Sequence, residues 1–371
     1  MKWMDEFRDR DLVVSLLGRI DTACMDRRYR LMEFCGGHTH ALYRYSLIEA
    51  LPEAVEMVHG PGCPVCVLPA GRIDMAIDLV RHRDVVLCTY GDMLRVPGGR
   101  GESLFSARAS GGEVRMVYSP LDAVDMAERM PDRQVVFFAV GFETTAPATA
   151  LALDRARALG LRNFTVFCNH VLTVPAMRAI ADDGEEAAID GIIGPGHVTA
   201  VIGSEAFAPI ATDYRLPVAI AGFEPTDLLA AILVLLHQIN AGEARIENAY
   251  ARAVTAKGNE QAAALMNKVF ALRQCFAWRG LGELEASAFK VADEYAGFDA
   301  EQRFGMDDLE HADHRACRCA EVLRGQMQPR DCPVFATACT PEHPLGACMV
   351  SSEGACAAAF RYEHRPAEVE A

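Results

Sequence analysis

Seven short apolar runs recur between residues 28 and 224, at 30–34, 54–59, 84–88, 134–140, 163–168, 190–193 and 217–221. Each gives way to a loop rich in Gly and polar residues, and then to a stretch with helical spacing. Near-continuous apolar runs of this length, alternating with helices, predict parallel strands covered on both faces, which is an α/β fold. Two near-duplications, Gly60-Pro61-Gly62 with Gly194-Pro195-Gly196 and Gly141-Phe142-Glu143 with Gly222-Phe223-Glu224, suggest two related Rossmann-like lobes facing a cleft. The expected partition is an N-terminal helical segment (1–27) packing on the C-terminal module, a first lobe (28–118), a second lobe (119–224) and a mainly helical, cysteine-bearing module (225–371).

After Pro225 the pattern changes. Residues 226–240 read as an apolar helix opened by Pro225 and closed by Gly242. Leu265, Val269, Leu272 and Phe276 predict an amphipathic helix over 261–278. Cys24 and Cys275 are expected on helices as small buried residues. The Gly-rich stretch 95–101 reads as an exposed, flexible loop.

Ligands of open parallel sheets bind beyond the carboxyl ends of the strands. That is where the unusual residues collect: Cys35-Gly36-Gly37-His38-Thr39-His40, Gly60-Pro61-Gly62-Cys63-Pro64-Val65-Cys66, Gly141-Phe142-Glu143-Thr144-Thr145 and Gly194-Pro195-Gly196-His197. Turn formation explains the glycines and prolines there, but not the cysteines, histidines and glutamates beside them.

Composition narrows the chemistry. A net charge of −15 disfavours nucleic acid and anionic membranes as partners. The longest apolar run, 228–236, is too short to span a bilayer, and the N-terminus lacks a signal-peptide pattern. A cytoplasmic location is expected, where thiols stay reduced, so disulfide scaffolding is the least expected use of the thirteen cysteines.

Six of those cysteines, Cys317, Cys319, Cys332, Cys339, Cys348 and Cys356, fall in the last quarter of the chain. Zinc sites draw ligands as two close pairs. Here the one close pair is Cys317 with Cys319, and the long remaining spacings favour an iron–sulfur cluster, with zinc as the alternative. The two surplus cysteines could pair with each other. Cys63 and Cys66 have the spacing of a two-electron redox dithiol; half a zinc site or a structural pair are the other readings. Cys35, backed by His38, suits a nucleophile or a ligand for a soft metal such as Fe(II). Glu143 and Glu224 could bind metal, position water or cap a helix. Cys88 and Cys168, at the ends of apolar runs, read as packed strand residues, and His59, His82, His237, His311 and His314 as inert.

Together, the motifs at 34–40, 60–66, 141–145 and 194–197 and the terminal cysteine series resemble the HypD family of hydrogenase maturation factors. The resemblance runs from residue 33 to residue 356. It implies a [4Fe–4S] cluster held by Cys317, Cys332, Cys339 and Cys356, Cys35 as iron ligand with His38 beside it, and Cys63/Cys66 as redox pair. It also implies a scaffold that works with a HypC-type small chaperone to assemble the Fe(CN)2CO unit of [NiFe]-hydrogenase. Cyanide would come from a HypE-type donor as a thiocyanate, with His38 or His197 moving protons. The competing reading is an iron–sulfur disulfide reductase acting through Cys63/Cys66, and a third is a zinc-folded interaction module.

Overall fold

The computed structural model describes residues 5–183, 188–307, 309 and 311–363. Residues 1–4 of the expected N-terminal segment and 364–371 of the expected C-terminal module lie outside them.

All seven apolar runs form parallel strands. The nine strands of the two sheets are β1 (Tyr29–Glu33), β2 (Val55–His59), β3 (Val85–Thr89), β4 (Val114–Met116), β5 (Gln134–Gly141), β6 (Phe164–His170), β7 (Gly191–Pro195), β8 (Val218–Ala221) and β9 (Ile246–Asn248). Sheet A has the order β2-β1-β7-β8-β9 and sheet B the order β4-β3-β5-β6. Every pairing in both sheets is parallel. The short strands β4 and β9 were not anticipated. They lie at sheet edges, where three residues with little apolar character complete the ladder.

These pairings correct the expected boundary between 118 and 119. Strands β3 and β4 pair with β5 and β6, whereas β1 pairs with β7. Sheet A therefore takes residues 29–59 and 191–248, and sheet B is inserted between them. A break in helical pattern at Ser119-Pro120 marks a helix start (Pro120–Arg129, N-capped by Ser119) and not a lobe boundary. The duplicated tripeptides also divide differently. Both Gly-Pro-Gly turns belong to sheet A, one after β2 and one ending β7, while the two Gly-Phe-Glu turns follow β5 in sheet B and β8 in sheet A.

Alternation along the strands assigns the faces. Val136, Phe138 and Val140 of β5 enter a core shared with Met32 and Val58 of sheet A, while Val135, Phe137 and Ala139 face helices Pro120–Arg129 and Ala146–Ala158. The opposite face of sheet A is covered by Arg10–Ala23 and Pro225–Ala241, which pack on each other. Asn240 ties the pair by donating to the Ala23 carbonyl at 2.8 Å.

Beyond residue 241 the structure is less helical than expected. Glu260–Val269 is a helix, but the chain then forms β10 (Phe270–Leu272) and β11 (Cys275–Trp278), which pair with β13 (Phe289–Val291) and β12 (Gly282–Glu285). Arg273-Gln274 interrupts the helical stripe and Phe270, Phe276 and Trp278 pack from strands instead. Cys275 is thus an exposed strand residue, and Cys24 is the C-cap of the first long helix. The stretch 95–101 is held in place: Gly99 donates to Asp74 at 2.9 Å and Arg100 pairs with Asp78 at 2.7 Å. No helix among the described residues is long and apolar enough to cross a membrane.

A thiol-lined cleft and a cysteine pocket

Sheet A changes direction between β1 and β7, and sheet B between β3 and β5. Such switch points leave a crevice at the carboxyl ends of the strands. A cavity of about 410 Å3 lies there, with walls from both sheets. The loops after β1 and β2 supply Cys35, Gly62 and Pro64, the loop after β5 supplies Phe142, Thr144 and Thr145, and the loop after β7 supplies His197. Glu353 reaches in from the C-terminal segment.

Cys35 ends the extended segment after β1 and is the N-cap residue of the helix Gly36–Arg44. The Cys35 loop and the neighbouring Gly-Pro-Gly turn touch through backbone: Gly36 donates to the Gly62 carbonyl at 3.2 Å, and a Cβ at Gly62 would fall 2.3 Å from the Cys35 nitrogen. Only glycine allows that approach. The Cys35 thiol is half-buried, and burial, with help from nearby Glu353, pushes its pKa up to about 12. A cation bound at sulfur would reverse that preference.

Beneath Cys35 lies a buried polar chain that the sequence did not reveal. The Glu33 carboxylate accepts from the Cys35 backbone N–H at 2.9 Å, from the Thr39 hydroxyl, and from His59 Nδ1 at 2.9 Å. His59 Nε2 in turn meets the Tyr43 hydroxyl at 3.0 Å. Burial raises the Glu33 pKa. Glu33 sat inside an apolar run, and a carboxylate two residues before the loop cysteine, at the end of a buried strand, was the available signal.

The other expected site residues separate into those in the cleft and those behind it. His197 lines the cavity and stacks on Phe223, with ring centroids 3.8 Å apart. His38 packs against the same Phe223 ring, centroids 4.8 Å apart, and is fully buried, with Nε2 3.2 Å from the Ala221 carbonyl. Burial pushes its pKa down to about 4. Glu143 is also buried and points away from the cavity, accepting from the backbone N–H of Thr173 at 2.9 Å and its hydroxyl at 2.8 Å. Glu224 caps the helix Pro225–Ala241 and pairs with Arg8.

Cys63 and Cys66 form a disulfide with Cα atoms 5.2 Å apart, on either side of Pro64 in the cleft wall. Both are buried. The short helix Pro64–Val67 packs against Ala347–Met349, the segment that carries Cys348. Beyond it, Cys317, Cys332, Cys339 and Cys356 line a second, small pocket together with a Cys319–Cys348 disulfide. The surplus cysteines therefore pair with each other.

This second pocket suits a compact thiolate-bound group. Its lining is mostly sulfur and apolar side chains, with Val334, Phe335 and Met349 among them and Arg318 beside Cys317. Gly346 leaves open the space beside Cys317, since a Cβ there would lie 2.4 Å from the Cys317 sulfur. Leu345 aims its N–H at the Cys339 sulfur, 3.4 Å away. Burial raises the pKa of Cys317 to about 11 and that of Cys356 further, so a cationic core is what would keep them as thiolates. Among the described residues no three His, Cys, Asp or Glu side chains close around a single ion. The four thiols instead surround a space.

Two α/β sheets with a free thiol in the crevice at their carboxyl ends, and a disulfide between it and a cysteine pocket, define a thiol-rich class of α/β protein. The HypD family model, described as "Hydrogenase formation hypA family", matches residues 11–363. The hydrogenase maturation factor HypD of Azotobacter vinelandii is 55% identical over 98% of this chain and 97% of its own. Those of Cupriavidus necator and Escherichia coli are 51% identical over 98% and 97%, and 43% identical over 99% and 100%, of the two chains respectively. The chain belongs to the HypD family of hydrogenase maturation factors.

Proposed function

We propose that the protein is a scaffold on which the iron of a [NiFe]-hydrogenase receives its cyanide and carbon monoxide ligands, with Cys35 gripping the iron in the cleft. The observation that carries this reading is the position of Cys35. A lone thiol stands at the switch point of sheet A, in a cavity whose wall includes Pro64, with the buried Cys63/Cys66 pair on either side of that proline. Thiolate is a fitting anchor for low-spin Fe(II), and the iron is cargo here.

The dithiol supplies the two electrons needed to free cyanide from a thiocyanate carrier, R–S–C≡N. The carrier's S–C bond breaks and the Cys63–Cys66 bond forms. One thiol proton goes to the carrier sulfur and the other to cyanide, which leaves R–SH, HCN and a disulfide. His197, which lines the cavity, would take that second proton, so that cyanide meets iron as the anion. His38 is buried against Phe223, where it holds the Ala221 carbonyl and shapes the wall instead of touching cargo. Glu143 has both oxygens engaged by Thr173 and is a fastening of the loop after β5.

Cys317, Cys332, Cys339 and Cys356 would hold a [4Fe–4S] cluster, which supplies electrons one at a time when bound. The donor set and the space beside Gly346 support that assignment. The partners that fit are a small HypC-type chaperone at the cleft and a HypE-type cyanide donor. A general disulfide reductase fits less well, because it gives no part to the free Cys35 thiol in the cleft.

Infrared spectroscopy of the anaerobic protein co-produced with those partners tests the reading. CN and CO stretching bands are expected, and Cys35→Ala should remove them. Bands that persist in Cys35→Ala, or disulfide reduction by the isolated protein without any such bands, would overturn it.

A further inference from the structure

Arg279 follows β11 and is buried, its side chain 1% exposed. Its backbone N–H donates to the Val67 carbonyl at 2.7 Å and its Nε to the Leu68 carbonyl at 3.0 Å, so it clasps the two residues that follow Cys66. Its Nη1 pairs with Asp313 at 3.0 Å. The next residue, Gly280, has φ +83° and lies against Ala320, the neighbour of Cys319. The guanidinium is therefore wedged between the dithiol segment and the start of the cysteine pocket.

One atom in this arrangement lacks a role. Arg279 Nη2 is buried and has no hydrogen-bond partner among the described residues. A buried donor without an acceptor is costly, and more so when charged, so its persistence calls for an acceptor. The surrounding groups narrow the choice. Asp313, four residues before Cys317, is already engaged by Nη1, and the Val67 and Leu68 carbonyls are used.

We infer that Arg279 is a positioning residue shared by the two redox centres, whose free Nη2 N–H points its charge at the sulfur-rich group held by the cysteine pocket. This inference rests on the cluster assignment made above. An iron–sulfur cluster with four thiolates is anionic and becomes more so on reduction, and hydrogen bonds and cations near its sulfurs raise its reduction potential. The same guanidinium holds the carbonyls behind Cys66, so one side chain sets both the potential of the electron source and the seating of the dithiol. Asp313 opposes it, with its carboxylate about a third exposed.

The test uses full-length protein purified without air, with iron and sulfide analysis and a redox titration followed by electron paramagnetic resonance. Arg279→Gln should keep the cluster and lower its midpoint potential, and Arg279→Lys should lower it less. Asp313→Asn, at a more exposed position, should shift it the opposite way, to higher potential, which a purely structural role would not produce. Should both Arg279 variants fail to load, the Asp313→Asn shift decides. Loaded variants with the wild-type potential would overturn the inference while leaving the cluster assignment standing. Wild-type protein that holds zinc, or no sulfide, would remove the cluster assignment and this inference with it.

Discussion

The two thiol sites of this protein are built in opposite ways. Cys35 stands at the end of a buried parallel strand, over a hydrogen-bonded carboxylate, with both sheets as its walls. The terminal cysteines come from loops, 3-10 turns at Pro329–Asp331 and Ala347–Met349, and the starts of the helices Cys319–Leu323 and Ala355–Glu363. Cys332, Cys339 and Cys356 share a small apolar cluster around Tyr43, Phe335 and Met349, and Cys317 and Cys356 also touch the edge of the main core. The first site is preformed by the fold. The second has too little core of its own and depends on what its thiols hold.

Cys339→Ala should therefore have the largest effect, loss of cluster iron together with loss of order in 311–363. Limited proteolysis would show cleavage there while both sheets survive, and an apo segment as resistant as the loaded one would break the contrast. Next in size, removing the Cys319–Cys348 bond as a Cys319→Ser, Cys348→Ser double variant should cost the oxidised protein about 3 kcal/mol in urea unfolding. That difference should vanish once both proteins are reduced.

Glu33→Gln should destabilise by about 2 kcal/mol, because one oxygen no longer meets the N–H groups and hydroxyl converging on it. Chemical denaturation would measure it, and no change would mean that the Cys35 loop is not fastened by Glu33. Acid should loosen the sheet framework specifically. Burial pushes His170 down to about 4, whereas the unfolded imidazole titrates near 6.5. Stability from this group is present above pH 6.5 and is lost as pH falls through that window, at about 1.4 kcal/mol per unit of difference. His170→Asn should flatten that limb of a pH–stability curve and leave the neutral region little changed. Smallest of all, Cys35→Ala should alter unfolding free energy by under about 0.5 kcal/mol, since the site is preformed.

How much of this was legible beforehand follows from range. The seven apolar runs specify strands through local composition, and all seven pair in parallel. Which strands pair is a long-range matter, and nothing in residues 84–118 shows that they join 134–170 and not 29–59. The functional loops were readable because Gly, Pro, Cys and His at strand ends are improbable as mere turns. His38 and Glu143 were not resolved in role, because orientation decides it: one packs against Phe223 and the other is turned toward Thr173. Arg279 and Glu33 carried no motif at all. Their importance comes from neighbours more than twenty residues away, His59 for Glu33 and Val67, Leu68 and Asp313 for Arg279.

The insertion of sheet B between the two portions of sheet A has a consequence during synthesis. Residues 85–170 hold every strand of sheet B and can fold as they leave the ribosome. Strands β1 and β2 emerge earlier but lack their neighbour β7 until residue 195 has been made. The Cys35 loop, made among the first forty residues, thus acquires its opposing wall only in the later half of translation. The crevice is therefore complete only once the inserted lobe is already in place.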